Sequence, residues 1–276
     1  MHDESKSAPA TWISHRTLAR VRQLGQRRHR EIENRFWIEG IRNFIQASDA
    51  GLQFDTILIS SVLLKNHLAE KLSRKLAARG VKRLRLTPEE FRGISTTARA
   101  SGIGAIVAHH WTHLENAQPR RGAGWLVLED IRSPGNLGTI LRTAEACGMS
   151  GVIFLGPRCD PFDPAVVRAS MGGIFHLQLV RTNHEKFERW AQKHAIQVIG
   201  VSPQATRLWT EIPQGNALAL VLGEERSGMS ERARTLCGTS VRLPMSGKAD
   251  SLNVGVAAGV MMYELVRRGL TKPPVL

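Results

Sequence analysis

The strongest constraint on the fold is a set of short, almost uninterrupted apolar runs in the second half of the chain. W-L-V-L-E-D opens the set at Trp125; G-V-I-F-L-G, H-L-Q-L-V, Q-V-I-G-V, L-A-L-V-L-G and S-V-R-L-P follow, with helical patterns between them. A strand with one wet face alternates apolar and polar residues, whereas a strand apolar at nearly every position is covered on both faces. Such strands interleaved with helices predict an α/β fold built on a mostly parallel sheet.

The first half is also mixed but less apolar. A basic helix from Thr17 precedes a strand at F-W-I-E-G, a helix at I-R-N-F-I-Q-A and a strand at F-D-T-I-L-I-S. A helix through Leu63 to Arg79 and strands at V-K-R-L-R-L and G-A-I-V-A complete it. With 276 residues available, this predicts a flexible N-terminal tail over 1–16 and a smaller α/β domain over 17–112. A Pro-, Gly- and polar-rich linker over 113–124 then leads to a larger domain over 125–276.

Charge narrows the partner. Lys and Arg number 38 against 24 Asp and Glu, a net charge of +14 with a pI near 10.8, which favours nucleic acid. The excess is densest from Arg20 to Arg30 and from Val81 to Leu86. Arg27, Arg28 and Arg30 are therefore candidates for phosphate contacts, to which a guanidinium is well shaped. No apolar run reaches the ~18 residues of a membrane helix, and M-H-D-E-S-K-S-A-P-A-T has no signal-peptide core, so a cytoplasmic chain is expected. Cys147, Cys159 and Cys237 form no C-x-x-C pair and read as reduced. His109, His110 and His113 cluster in sequence, but no matching ligands accompany them, and no metal is expected.

Three loops leave the C-terminal ends of predicted strands, the edge at which open α/β sheets bind ligands. I-R-S-P-G-N-L-G-T-I-L-R-T-A covers Ile131 to Ala144 and sets Asn136 and Arg142 across the start of a helix. L-G-E-E-R-S-G-M covers Leu222 to Met229, and P-M-S-G-K-A-D-S-L-N-V-G-V-A covers Pro244 to Ala257. None matches a dinucleotide-binding G-x-G-x-x-G or a Walker loop. In the third, Asp250 or Ser251 suits a helix cap. Asn253, a mediocre helix former inside a small-residue helical run, is left unexplained by that reading.

In that order and at those separations, N-x-G-x-x-x-R-T-A, G-x-E-x-x-G and P-M-x-G-x-x-x-S-L-N-V resemble the three motifs of the SpoU/TrmH-type RNA ribose 2′-O-methyltransferases of the SPOUT superfamily. The resemblance covers roughly residues 124 to 268. F-W-I-E-G-I-R (Phe36 to Arg42) and I-S-T-T-A-R-A-S-G-I-G-A-I-V resemble the same family's L30e-like RNA-binding domain.

The resemblance implies a deep C-terminal trefoil knot that holds S-adenosylmethionine. The cofactor would lie against backbone groups of Gly223, Leu243, Met245 and Leu252, with Gly200 and Val201 lining the same pocket. Arg142 would be the catalytic arginine. Either it acts as general base, or an RNA phosphate takes the proton while Arg142 stabilises the oxyanion. Asn136 would orient Arg142 or the ribose, Glu225 would hold the loop and Asn136, and Ser251 and Asn253 would stand at the reacting centre. Glu224 occupies the variable motif position. Arg168, in V-V-R-A-S-M-G, matches an arginine that contacts substrate phosphate. Gly255 stands where family members commonly carry Ser, which is expected to loosen a cap or a helix contact. Ribosomal RNA is the favoured substrate, ahead of transfer RNA or a silent role as an RNA-binding assembly factor. A homodimer through the C-terminal domain is expected, its final helix pairing small residues with Met and Leu.

Overall fold

The computed structural model describes residues 11–12, 15–109, 111–119, 124–212 and 217–269. Expectations that concern His110, residues 120–123 or most of the N-terminal tail lie outside the described residues. The first elements are β1 (Thr11–Trp12), α1 (His15–Gln23), α2 (Arg27–Glu33), β2 (Arg35–Glu39), α3 (Ile41–Asp49), β3 (Phe54–Ile59), α4 (His67–Ala78), β4 (Lys82–Arg85), α5 (Pro88–Arg92) and β5 (Ile103–Ala108). Next come β6 (Trp125–Glu129), α6 (Pro134–Ala146), β7 (Gly151–Leu155), α7 (Pro164–Ala169), β8 (Gln178–Thr182) and α8 (His184–Lys193). The last are β9 (Gln197–Val201), β10 (Arg207–Leu208), β11 (Leu218–Leu222), α9 (Glu231–Leu236), β12 (Thr239–Arg242) and α10 (Val254–Arg267). They form two compact units, one reaching His109 and including Phe162–Phe175, the other holding the remainder.

The first unit is built on a mixed sheet of order β1-β4-β3-β5-β2, with β5 antiparallel to both of its neighbours. Leu18, Val21, Leu24, Trp37, Leu58, Leu86, Phe91, Ile94 and Ile106 are buried together on one side of it. Thr11 and Trp12, inside the stretch expected as tail, pair with β4 and satisfy part of its free edge. Asn66 caps α4 by accepting from the Ala69 N–H at 2.9 Å, so the helix starts beyond Leu63, where the apolar pattern begins. The sequence reading put Phe162–Phe175 in the second domain. Their packing lies in the first unit, where the Phe162 ring sits 5.0 Å from Phe36 and 4.6 Å from His109.

The second unit is a seven-stranded sheet of order β10-β12-β9-β11-β6-β7-β8, with every strand pairing parallel. All five residues of β6, β7 and β11 are buried, as two covered faces require. Trp125, Val127, Ile153, Val180 and Val221 share one face with Phe187 and Trp190 of α8 and Ala233 of α9. The intervening residues Leu126, Leu128, Val152 and Phe154 are equally buried and point to the other face. There α6 packs with α10, whose Ala258, Met261, Met262 and Leu265 are fully buried. The described part of the expected linker is also packed: Ala117 is buried in the second core, and its carbonyl accepts from Trp190 Nε1 at 3.0 Å.

Strand order makes β6 and β11 the pivot of this sheet. From β6 the chain moves through β7 to β8 on one side, whereas β9, β11 and β12 lie on the other. The connection leaving β6 runs to α6 on one face, and that leaving β11 runs to α9 on the opposite face. Loops that diverge from adjacent parallel strands in this way open a crevice at their C-terminal ends.

Close backbone approach fixes the register beside β6. A Cβ on Gly151 would stand 2.4 Å from the Gln178 carbonyl oxygen and 2.7 Å from the Trp125 ring. Backbone cannot yield there without shifting β8. Gly151→Ala is expected to cost about 1–3 kcal/mol and to lower the thermal midpoint by circular dichroism; a wild-type midpoint would contradict this packing.

Candidate active site

The loop after β6 and the loop after β11 meet at the pivot. Asp130 turns the chain out of β6 with a left-handed φ of 57°, and Ser133 caps α6 by accepting from the Asn136 N–H at 3.4 Å. Gly223 begins the other loop where a Cβ would lie 2.1 Å from the Met229 nitrogen, so only glycine permits the tight return to Met229. Within that return the Glu224 carboxylate accepts from the Arg226 and Ser227 N–H groups at 3.1 and 2.7 Å and from Ser227 Oγ at 2.6 Å. The Ser227 bonds, with help from Arg226 and Arg132, pull its pKa down to about 2. The position read as variable therefore shapes the turn.

Glu225 spans the gap between the loops. Its carboxylate accepts from the Ser133 N–H at 3.1 Å, the Arg132 N–H at 3.3 Å and Asn136 Nδ2 at 3.0 Å. Burial alone would push this carboxyl up, but the Asn136 amide and the backbone N–H groups outweigh it and hold the pKa below the ordinary value. Asn136 passes the network on, because its Oδ1 accepts from Asn253 Nδ2 at 2.9 Å. Asn253 Oδ1 in turn accepts from the Gly255 and Val256 N–H groups at 2.9 and 3.3 Å, making Asn253 the N-cap of α10.

This corrects two sequence expectations. Asp250 and Ser251 lie ahead of the helix and do not cap it; the residue that looked misplaced inside α10 is the cap. The cap is also intact beside Gly255, because the bond is made by backbone N–H and needs no side chain there. A Cβ at Gly255 would sit 3.2 Å from Asn253 Oδ1, so glycine leaves room for the cap.

Beside this chain lies a cavity of about 320 Å³, formed by the loops after β9, β11 and β12 and by the segment leading into α10. Val201, Gly223, Leu243, Met245 and Leu252 line it, as do Ser251 and Glu225. The walls thus combine apolar side chains with charged ones, Glu224, Arg226, Arg234 and Asp250 among them, and the size falls at the low end for a small-molecule pocket. Gly200 does not line it. Its missing Cβ instead makes room for Ser240 Oγ and Met229 Cε, which would stand 2.7 and 2.8 Å from such an atom. Arg142 is exposed on α6 and makes no hydrogen bond or ion pair among the described residues.

The expected substrate contacts separate into three cases. Arg168 is exposed on α7, with Nη1 donating to the Thr96 carbonyl at 2.9 Å and lying 3.2 Å from Thr96 Oγ1. Arg28 is exposed, and Arg27 is half-buried with Nε 2.9 Å from Glu31. Arg30 is 1% exposed and donates to the Leu24 and Gly25 carbonyls at 2.7 and 2.9 Å, so its guanidinium closes a turn and is not presented to phosphate. His109 Nε2 donates to the Arg30 carbonyl at 3.1 Å, and no group of metal-ligating side chains gathers among the described residues. Burial pushes the Cys159 and Cys237 thiols up to about 12 and Cys147 up to about 11, which keeps them protonated and weakly nucleophilic.

One polar anchor was missed. Glu129, 6% exposed at the end of β6, accepts from Ser230 Oγ at 2.7 Å, from the Ser230 N–H at 2.8 Å and from His184 Nε2 at 2.7 Å. It pins the far end of the Gly223–Met229 return. Burial works against its charge, but the Ser230 and His184 donors prevail and hold its pKa below the ordinary value. An acid closing a wholly apolar strand was the available signal.

The depressed Glu225 pKa has a defined sign. Its contribution to stability is complete above the ordinary value of 4.5 and is lost as pH falls through the lower folded-state value. Glu225→Gln removes the charge and sets an NH2 against at least one of the donors, the Arg132 N–H when the oxygen stays with Ser133 and Asn136, so it should destabilise the folded chain by about 1–3 kcal/mol at neutral pH. The gap in thermal midpoint between wild type and variant should narrow below pH 4.5. A gap independent of pH would remove the charge from this account.

With the geometry in place, the chain can be set beside known proteins. The sequence pattern of the SpoU rRNA Methylase family matches residues 124–263, and that of an MRM3-like substrate binding domain matches residues 16–105. The 23S rRNA (guanosine(2553)-2'-O)-methyltransferase RlmP of Bacillus subtilis (strain 168) is 28% identical over 186 residues, 67% of this chain and 73% of that one. The AdoMet-bound rRNA methyltransferase from Sinorhizobium meliloti superposes with a TM-score of 0.86 at 30% identity, over 94% of this chain and 97% of that one. The SpoU methyltransferase AviRb from Streptomyces viridochromogenes, in complex with the cofactor AdoMet, superposes with a TM-score of 0.83 at 27% identity, over 93% and 98%. The motif-bearing loops that Glu225 ties together fall within the matched span, and the chain belongs to the SpoU rRNA methylase family.

Proposed function

We propose that this chain transfers the methyl group of S-adenosylmethionine to a ribose 2′-hydroxyl of RNA, with ribosomal RNA as the substrate. The observation that carries the reading is that the second and third motif loops line one cavity, while the Glu225–Asn136–Asn253 chain ties the first motif loop to its edge. The cavity fits the cofactor chemically: Leu243, Met245 and Leu252 offer apolar contact to a flat base, and the Gly223 loop offers backbone groups. When bound there, S-adenosylmethionine supplies an electrophilic methyl carbon on sulfur.

The residues of this chain then have distinct tasks. Arg142, exposed on α6 and without a hydrogen bond or ion pair among the described residues, is the cation we assign to stabilise a 2′-oxyanion or to hold the phosphate that takes its proton. Asn136 and Asn253 cannot ionise, and both are locked into one orientation by their partners, so they serve as fixed positioning groups. Ser251 lines the cavity and is the hydroxyl nearest in sequence to this pair. The substrate-binding unit supplies Arg28, Arg168 and the exposed Lys82 and Arg85 for phosphate contact. We place the reaction in the cytoplasm, where ribosomal RNA is met.

We further infer a trefoil knot in the second unit and a homodimer through α10. Val256 and Tyr263 on α10 are 52% and 58% exposed, apolar surface of the kind a two-fold interface covers.

Arg142→Ala is expected to bind S-adenosylmethionine as wild type does and to lose nearly all methyl transfer to unmethylated ribosomal RNA. A variant that keeps more than about a tenth of wild-type turnover would overturn the role of Arg142. A wild-type chain that transfers no methyl to any cellular RNA would overturn the reaction itself.

Static light scattering should give twice the 30.5 kDa chain mass at micromolar concentration. Val256→Glu with Tyr263→Glu should shift it towards one chain. An active wild-type monomer would refute the dimer.

A further inference from the structure

The second unit carries another concavity, about 630 Å³, that shares no residue with the motif cavity. It runs between the segment around Trp111 and the exposed side of α8, and it opens where Arg181 and Thr182 end β8. Lys186, Arg189 and Lys193 lie along its α8 wall at helical spacings of three and four, and among the described residues Glu115 is the single acid that lines it. Lys186 and Lys193 make no ion pair among the described residues. Among the described residues Arg189 pairs only with Glu185 at 3.5 Å, both side chains more than 60% exposed, a bond water and salt readily replace. At the mouth the Arg181 guanidinium lies 4.2 Å from the centroid of the Trp111 ring, which meets the Phe154 ring at 83° with centroids 5.8 Å apart. Such a stacked cation presents a planar, positively charged surface.

We propose that this groove binds a single-stranded RNA segment flanking the methylated nucleotide, with phosphates on Lys186, Arg189 and Lys193 and a base on the Arg181–Trp111 stack. Position supports the assignment. Because every strand pairs parallel, the C-terminal end of β8 lies on the same rim of the sheet as the loops of the motif cavity. β7 and β6 separate β8 from β11, so about three strand spacings, roughly 15 Å, divide the groove mouth from the loop of Glu225. One strand of RNA spans that distance. Chemistry supports it as well: a file of cations with an aromatic–guanidinium platform is what binds single strands without reading their sequence. The inference rests on the RNA methyltransferase reading for its partner but makes a binding claim of its own.

Fluorescence anisotropy of the full-length chain with a labelled single-stranded oligouridylate tests the groove without requiring catalysis. Lys186→Glu with Lys193→Glu should weaken binding about tenfold or more and flatten the log–log salt dependence by roughly 1–1.5. Affinity for S-adenosylmethionine should stay within about twofold, since the two cavities share no residue. Lys186→Gln with Lys193→Gln should give a smaller loss in the same direction, and it serves if the charge reversal disturbs folding. Trp111→Ala should weaken binding without changing the salt slope, because stacking releases no counterion. Unchanged affinity and slope in the lysine variants, or no oligouridylate binding by wild type at low salt, overturns the groove as an RNA site and leaves it to an acidic protein partner. If the oligomer binds through the groove but wild type methylates no RNA, the groove stands and the proposed reaction falls.

Discussion

The site depends on one carboxylate. Glu225 can only accept hydrogen bonds, so the side-chain amide of Asn136 must turn its Nδ2 towards it and leave Oδ1 outward. At the other end the Gly255 N–H can only donate, so Asn253 must turn Oδ1 to the helix and Nδ2 to Asn136. Both amides are therefore oriented by partners whose polarity is unambiguous. The chain couples the β11 loop to the first turn of α6 and to the start of α10, which are far apart in sequence and adjacent at the sheet pivot.

Charge is spent differently in different parts of the molecule. Glu225, Glu129 and Glu224 each hold a loop by collecting N–H and hydroxyl donors, and in each the donors hold the pKa down. In Glu129 and Glu225 they do so against burial as the largest opposing effect. A carboxylate is suited to that task because its two oxygens accept several bonds at once, and bonds to a charged acceptor are stronger than neutral ones. Among the basic residues the division is sharper. Arg30 is consumed by the carbonyls of its own turn and Arg20 by Glu33 and Asp55, whereas Arg28 and Arg142 remain at the surface. The net positive charge thus overstates what faces a polyanion in one place and hides a concentrated file of cations along α8 in another.

Much of the architecture was legible from local pattern. Five-residue runs such as W-L-V-L-E and L-A-L-V-L specify strands covered on both faces, and the order of helices between them specifies parallel pairing. The family resemblance of the three motifs named Asn136, Arg142, Glu225, Ser251 and Asn253 as candidates, and the fold joins Glu225, Asn136 and Asn253 in one hydrogen-bonded chain. Boundaries were less legible where one polar atom decides them, as at Asn66, whose cap shortens α4. The place of Phe162–Phe175 was not legible at all, since a ring finds its partners by tertiary packing and carries no local signal of which core will hold it.

The sequence by itself determined the elements and the parallel sheet, because periodicity and turn chemistry act over a few neighbours, and its motif resemblance named the candidate site residues. Tertiary structure alone decided which donor meets which acceptor. Asn253 is the plainest case: in sequence it is a poor helix residue, and in the fold it is both the cap of α10 and the partner of Asn136. Arg30 and Gly200 show the converse, one removed from the surface by two carbonyls and the other removed from the cavity by the packing of Ser240 and Met229. Burial, hydrogen-bond partner and direction are properties of the surroundings a residue acquires on folding, and those surroundings come from segments distant in the chain.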